Sequence, residues 1–197
     1  MRPPLGPRDW LGSRLLIVGD VDTGKTTLTG EILADFCRRG LGPRITIVDL
    51  APRIPEAAAA ARGLASVGGQ LEPPAGSGLT CLRPQLQAPR LSSASDEEAI
   101  DKALDNKRRI DQALRALPGG AQAIVVVNDT SMYLQAGTAE ELIAWLAPCH
   151  TVIANGYLGT RLGGGELSRR EQAQMNRLRA WFAAAGTVLT LDGGPRS

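Results

Sequence analysis

The chain has 197 residues and a formal net charge of +2. This length allows one α/β domain with a substantial buried core and is too short for two domains of ordinary size. An apolar content of 43% is typical of a soluble globular protein, and the net charge is too small to indicate nucleic-acid binding by itself. We therefore expect a single domain over residues 14–197, preceded by a loose, proline-containing tail over residues 1–13.

No window of the sequence is apolar enough for a signal peptide or a membrane span, so we expect a cytoplasmic protein without a membrane partner. Cys37, Cys81 and Cys149 are far apart in the sequence, and the single histidine, His150, follows Cys149. This pattern favours small core residues in a reduced compartment over a metal site.

The first half of the domain opens with the apolar run Arg14–Val18, which leads into a glycine-containing loop. Apolar residues then recur at helical spacing as far as Phe36, and Gly40 ends this predicted helix. A second apolar run, Ile45–Val48, predicts a strand that ends at Asp49. This order of strand, loop, helix and strand indicates the start of an α/β fold.

Residues 51–95 interrupt the pattern, because prolines and glycines recur throughout this segment. Within it, residues 56–62 fit an alanine-rich helix and residues 79–83 fit a strand. We interpret the whole segment as an irregular region that holds a substrate or a partner.

The second half of the domain again alternates helices with strands. Three Ser/Thr-x-x-Glu patterns predict helix N-termini: Ser95 with Glu98, Thr138 with Glu141, and Ser168 with Glu171. Three short apolar runs predict strands: residues 124–127, 151–154 and 187–191. Strands that alternate with helices predict a doubly wound α/β fold, with a mainly parallel sheet and helices on both faces.

The clearest motif is G-D-V-D-T-G-K-T over residues 19–26, which matches G-x-x-x-x-G-K-[ST] directly after a strand and directly before a helix. Its glycines allow backbone N–H groups to turn towards phosphates, and the helix N-terminus adds its positive end. Lys25 would reach the β- and γ-phosphates, and the Thr26 hydroxyl would ligate Mg²⁺. We therefore predict a P-loop NTPase fold that binds Mg²⁺ and a nucleoside triphosphate. The predicted nucleotide-binding residues of this loop are Gly19, Asp20, Val21, Asp22, Thr23, Gly24, Lys25, Thr26 and Thr27.

The identity of the base is less clearly marked. The dinucleotide-binding pattern G-x-G-x-x-G does not occur in the sequence, and neither does a guanine-reading N-K-x-D. ATP is therefore the default, although the sequence does not distinguish GTP from it. Asn155, after the predicted strand 151–154, is a candidate base contact, and a turn cap is the alternative.

A P-loop enzyme also needs a carboxylate at a strand end to hold the metal or to orient the nucleophile. Asp49 and Asp129 are the two candidates, and Asp49 is the first choice for the metal because its strand ends abruptly before Pro52. Within the loop, Asp22 is favoured over Asp20 as a functional carboxylate.

A glycine run at residues 163–165 precedes the last helix, which we predict to be capped by Ser168. Arg169 and Arg170 then occupy the first turn, where a cation meets the positive end of the helix dipole. We interpret these two arginines as catalytic residues of a lid that contacts the phosphates. Solvated arginines on an exposed face are the alternative.

Residues 19–49 also resemble the catalytic domain of RNA-processing polynucleotide 5′-hydroxyl kinases. In that family a loop of the form G-x-x-D-x-G-K-[ST]-T-L precedes a helix, a glycine and a strand that ends in aspartate. Here residues 19–28 and Ile45–Asp49 supply these parts. Residues 126–130 and the stretch from Gly137 to Ile143 look like the family's strand, turn and helix with an asparagine–threonine pair.

This resemblance implies a kinase activity, a lid at Arg169 and Arg170, and RNA as an acceptor. Single-stranded RNA is usually bound by aromatic platforms, and the chain has only seven aromatic residues, from three Trp, two Tyr and two Phe.

Three functions therefore stay open at the level of the sequence. The first is a phosphotransferase that uses a hydroxyl acceptor, held in the segment 51–95 through Arg53, Arg83 or Arg90. The second is an ATPase or GTPase switch that acts on a protein partner. The third is a nucleotide-binding protein without turnover.

Overall fold

A six-stranded sheet, in which every strand pairing is parallel, organises the described part of the chain. The structure is a computed structural model that describes residues 9–52, 69–118, 120–162 and 164–192. The strands are β1 (Arg14–Gly19), β2 (Ile45–Asp49), β3 (Thr80–Leu82), β4 (Gly120–Asn128), β5 (Cys149–Tyr157) and β6 (Thr187–Leu191). Their order across the sheet is β3-β2-β4-β5-β1-β6.

Helices cover both faces of this sheet. They are α1 (Lys25–Arg38), α2 (Pro89–Ser92), α3 (Asp96–Leu114), α4 (Ser131–Leu134), α5 (Ala139–Leu146) and α6 (Glu166–Ala185), with a 3-10 turn at Gly42–Arg44. Helix α1 packs on one face in an apolar cluster with Leu15 and Ile17 of β1. Helices α3, α5 and α6 pack on the other face in a cluster with Leu16 and Val18. Successive residues of β1 therefore point to opposite faces, and the predicted doubly wound α/β fold is confirmed.

Two of the three predicted helix caps are present. The Thr138 hydroxyl accepts a hydrogen bond from the Glu141 backbone N–H in a complete capping box, and the Ser95 hydroxyl accepts one from the Glu98 N–H at 3.2 Å. The third prediction is wrong, because α6 begins at Glu166 and its N-cap is Gly165.

The strands extend beyond their predicted apolar runs because buried polar residues continue them. Asn155 is buried within β5 directly after its predicted run, and Asn128 is buried at the end of β4. The predicted strand at residues 79–83 is present as β3, at the edge of the sheet. The predicted helix at residues 56–62 lies outside the described residues.

The folded part of the chain begins before residue 14. Trp10 is buried in the same apolar cluster as Phe36, and the Gly12 N–H donates to the Thr151 hydroxyl at 2.8 Å. Residues 9–13 are therefore packed against the sheet rather than part of a loose tail. In the described ranges, no helix combines the length and apolar character that a bilayer span requires.

Candidate functional site

A large cavity lies at the carboxyl edge of the sheet, where crevices outside parallel strands commonly bind ligands. Its volume is about 610 Å³. The loop after β1, the N-terminus of α1 and the ends of β4 and β5 contribute to its wall, together with residues 69–72. The predicted glycine loop thus meets two of the predicted strand-end residues, Asp129 and Asn155, at one place.

The backbone of the glycine loop is shaped by two left-handed residues, Asp22 with φ 59° and Gly24 with φ 88°. Asp is among the few side chains that adopt this conformation readily. Gly24 is the N-cap of α1 and supplies no side-chain cap to the first amides of the helix. Residues 24–27 line the cavity, so the positive end of the helix lies there, an arrangement that favours an anion.

Lys25 brings a positive charge to this cavity. Its ammonium group donates to the Asp20 carbonyl oxygen at 2.5 Å, and the Thr23 hydroxyl donates to the same oxygen at 3.0 Å. Burial lowers the pKa of Lys25, while the carboxylates of Asp129, Asp20 and Asp22 act in the opposite direction. A partly desolvated cation interacts strongly with an incoming anion.

The two loop aspartates have different environments. Asp20 accepts hydrogen bonds from the backbone N–H groups of Val21 at 2.7 Å and Thr160 at 3.2 Å, so its carboxylate joins the glycine loop to the segment after β5. Asp22 is exposed and lines the large cavity. Of the two, only Asp22 is placed where it could meet a bound group.

A network of side-chain amides lies beneath the loop. The Asn128 amide nitrogen donates to the Asp49 carboxylate at 2.7 Å, and its oxygen is 3.5 Å from the Thr26 hydroxyl. Asn155 donates to this same Asn128 oxygen and to the Thr29 hydroxyl, each at 2.9 Å. Both N–H groups of the Asn155 amide are thus used within the protein. A contact from Asn155 to a base stays a prediction.

Asp49 is buried behind this network and does not line the large cavity. Its carboxylate accepts hydrogen bonds from the Leu71 N–H at 2.9 Å and from the Ala51 N–H at 3.4 Å. It also forms an ion pair with Arg83 at 3.2 Å. These partners engage both carboxylate oxygens, so Asp49 fixes the strand β3 and residues 69–71 to the end of β2.

Asp129, which follows β4, is the strand-end carboxylate that lines the large cavity. Its backbone is left-handed, with φ 63°, and its N–H donates to the Asn155 side-chain oxygen at 2.9 Å. The Ser131 hydroxyl donates to the carboxylate itself. Burial raises the pKa of Asp129, while the neighbouring charge of Lys25 lowers it. A carboxyl group with a raised pKa beside a cation in a cavity is a candidate for acid–base catalysis.

The oxygen atoms around the loop suit Mg²⁺, which is bound by oxygen ligands. Across the described part of the chain, no group of three or more His, Cys, Asp or Glu residues is arranged to hold a metal ion. Mg²⁺ in phosphate sites commonly has one or two protein ligands and completes its shell with phosphates and water. The Thr26 hydroxyl, with Asn128 beside it, matches that arrangement.

The predicted lid arginines are placed differently from the sequence prediction. Because α6 begins at Glu166, Arg169 and Arg170 follow its first three residues instead of opening the helix. Arg170 donates to the Ala136 carbonyl oxygen at 2.8 Å, and Arg169 is exposed. Neither side chain lines the large cavity. A lid role would therefore require the segment before α6 to move, and it stays a prediction.

Arg83 and Arg90, two of the arginines predicted to hold an acceptor, each pair with a buried carboxylate. Arg83 pairs with Asp49, and Arg90 pairs with Glu171. Arg53 lies outside the described residues.

The sequence pattern indicates only a helix-capping role for Glu171. In the structure its burial raises its pKa to about 7, against the opposing effect of Arg90.

No protein-family model matches the chain, and no curated protein matches it in sequence. The resemblance to polynucleotide 5′-hydroxyl kinases therefore stays a prediction from the residues quoted above.

Proposed function

We propose that the chain is a P-loop protein that binds the Mg²⁺ complex of a nucleoside triphosphate in the large cavity and transfers the γ-phosphoryl group to a hydroxyl acceptor. The observation that carries this proposal is that Lys25, Thr26 and Asp129 line one cavity at the N-terminus of α1. A cation, a hydroxyl and a partly buried carboxylate are groups that phosphoryl-transfer enzymes use.

Each residue has a separate role in this proposal. The amides at the start of α1 and the Lys25 ammonium bind the phosphates, and for this Lys25 exchanges its hydrogen bond to the Asp20 carbonyl for one to a phosphate oxygen. Thr26 would hold Mg²⁺, which when bound neutralises charge on the β- and γ-phosphates. Asn128 holds the Thr26 hydroxyl in place.

Asp129 orients the acceptor hydroxyl and takes its proton. Two features suit it to this role. Burial raises the pKa of its carboxyl, and its left-handed backbone is held by the Asn155 side chain and by the turn into α4. Since a general base is most effective when its pKa approaches the working pH, a raised pKa favours proton transfer.

The experiment that tests this proposal follows the γ-phosphate. Protein, Mg²⁺ and γ-labelled ATP or GTP are incubated with candidate acceptors, including a 5′-hydroxyl RNA oligonucleotide, and labelled product is separated from free orthophosphate. The proposal expects an acceptor-dependent labelled product that requires Lys25 and Asp129. Release of orthophosphate alone, unaffected by any acceptor, would assign the chain to the hydrolysing NTPase switches instead.

A further inference from the structure

A second, smaller cavity adjoins the large one. Its volume is about 60 Å³, and Asp129, Tyr157 and Leu162 line both cavities. A phosphate in the large cavity and a group in the small one would therefore meet at the Asp129 carboxylate. Because a water molecule occupies roughly 30 Å³ in the liquid, only a group of a few non-hydrogen atoms fits in the small cavity.

The small cavity contains buried hydrogen-bond acceptors. Glu171 is 1% exposed and Gln135 is 5% exposed, and both line it. The Gln135 amide nitrogen donates to one Glu171 oxygen at 3.0 Å, which is also the oxygen that pairs with Arg90. The other Glu171 oxygen and the Gln135 oxygen have no hydrogen-bond partner within the described ranges. Buried acceptors of this kind need a donor, because without one their desolvation is uncompensated.

The charges around the small cavity select against an anion. The positive charge of Arg90 is already paired with Glu171, whose pKa is raised to about 7, and Asp129 is a second carboxyl group in the lining. The Arg90 guanidinium also stacks over the Tyr157 ring at 5.5 Å. Much of the remaining wall is apolar and includes Leu91 and Met132. A neutral or cationic group with a short carbon chain and hydrogen-bond donors therefore fits this lining best.

We propose that the small cavity is the subsite for the phosphoryl acceptor, and that the acceptor is a small neutral or cationic alcohol that carries a second hydrogen-bond donor. Its reacting hydroxyl lies at Asp129, and the second donor, a hydroxyl or an ammonium group, binds the free oxygens of Glu171 and Gln135. This inference rests on the proposed function, whose acceptor class it specifies.

The reaction balances without any further reactant. The acceptor oxygen forms a bond to the γ-phosphorus while its proton passes to Asp129. The bond between the γ-phosphorus and the β,γ-bridging oxygen breaks, and the nucleoside diphosphate leaves with that electron pair. Asp129 then releases the proton to solvent.

The experiment uses three two-carbon probes that share one hydroxyl: ethylene glycol, ethanolamine and glycolate. The first two carry a second donor, whereas glycolate carries a carboxylate. Transfer of labelled γ-phosphate to each probe is measured with the full chain and Mg²⁺, and kcat and KM for the probe are determined separately. We expect transfer to ethylene glycol or ethanolamine at least about tenfold more efficient than transfer to glycolate, and the comparison of the first two distinguishes a hydroxyl from an ammonium donor.

Two variants test the cavity itself. Ala88 lines the small cavity and not the large one. Ala88→Leu should therefore fill the small cavity and raise the KM for the alcohol at least about tenfold, while the affinity for nucleotide stays unchanged. Gln135→Met removes the free Gln135 oxygen at similar side-chain volume and should also raise the KM for the alcohol. It tests the small cavity independently if Ala88→Leu does not fold. Ala144→Leu, on an exposed position of α5, is the matched control and should change neither value.

The outcomes separate the inference from the proposed function. Nucleotide binding that depends on Lys25, combined with equal transfer to all three probes or with transfer to an RNA oligonucleotide only, overturns the inference and leaves the proposed function standing. An unchanged KM for the alcohol in both cavity variants would also overturn the inference and leave the proposed function standing. The small cavity would then hold bound water. No binding of nucleotide at all overturns both.

Discussion

The side-chain amide of Asn128 donates to the carboxylate of Asp49 over 2.7 Å, and the two residues are also direct neighbours in the register of β2 and β4. This bond engages one oxygen of the Asp49 carboxylate. It also orients the Asn128 oxygen towards Thr26. Asp49 is therefore connected to the glycine loop through Asn128, whereas Asp129 lines the cavity itself.

Asp129→Asn tests the assignment of the catalytic carboxylate. We expect phosphoryl transfer to slow by at least about a hundredfold, which is the scale of a positioned general base. Stability should be unchanged or higher, because burial disfavours the charged form of Asp129. Single-turnover kinetics and urea unfolding measure the two effects. Asp101→Asn, on an exposed position of α3, is the control, and a normal rate in Asp129→Asn would remove the assignment.

Asp49→Asn is expected to act mainly on stability. Asp49 is fully buried and pairs with Arg83, whose side chain is 30% exposed. Loss of one partner of a buried ion pair lowers the free energy of unfolding by about 3–5 kcal/mol. Because Arg83 is partly exposed, we expect a decrease near the lower end of this range. Because the two residues interact, Arg83→Gln combined with Asp49→Asn should cost less than the sum of the single changes in urea unfolding. A stable Asp49→Asn protein that has lost turnover would return the metal role to Asp49.

Much of the fold and the position of the loop could be predicted from the sequence. Apolar runs such as Ile124–Val127 identify buried parallel strands, because both faces of such strands are covered. The glycine motif between a strand and a helix also placed Lys25 and Thr26 at one cavity. In both cases the signal is local, since it depends on neighbouring residues in the chain.

The contacts that the sequence analysis missed are between residues far apart in the chain. Glu171 follows Ser168 in a pattern that imitates a helix cap, yet tertiary packing against Arg90 and Gln135 determines its position. The ion pair of Asp49 with Arg83 likewise connects the end of β2 to the residue that follows β3. A polar residue such as Asn128, at the end of an apolar strand and directly before Asp129, is the one local signal that could have indicated the amide network.

Glu171 should make the stability depend on pH. Its pKa is about 7 in the folded protein against a usual value of 4.5, so the folded state holds this proton more tightly than the unfolded state does. The resulting stabilisation is present at low pH and is lost as the pH rises from about 4.5 to 7, by up to about 3 kcal/mol. Asp129 is present in wild type and in Glu171→Gln, so the difference between the two proteins reports Glu171 together with its interaction with Asp129. Equal slopes of unfolding free energy against pH would contradict the prediction.

The most direct test of a nucleotide site in the large cavity is calorimetric titration of ATP and GTP, with and without Mg²⁺, into the wild type, Lys25→Met and Lys102→Met. Lys102 lies on α3 and pairs with Glu98, so its variant matches the loss of charge outside the cavity. We predict Mg²⁺-dependent binding by the wild type and Lys102→Met. Lys25→Met should bind about 10- to 150-fold more weakly, which corresponds to the loss of a charged hydrogen bond. The free energy of unfolding of Lys25→Met should match that of the wild type, because burial disfavours the charged form of Lys25. Equal affinities in all three proteins, or no binding by the wild type, would contradict the proposed site.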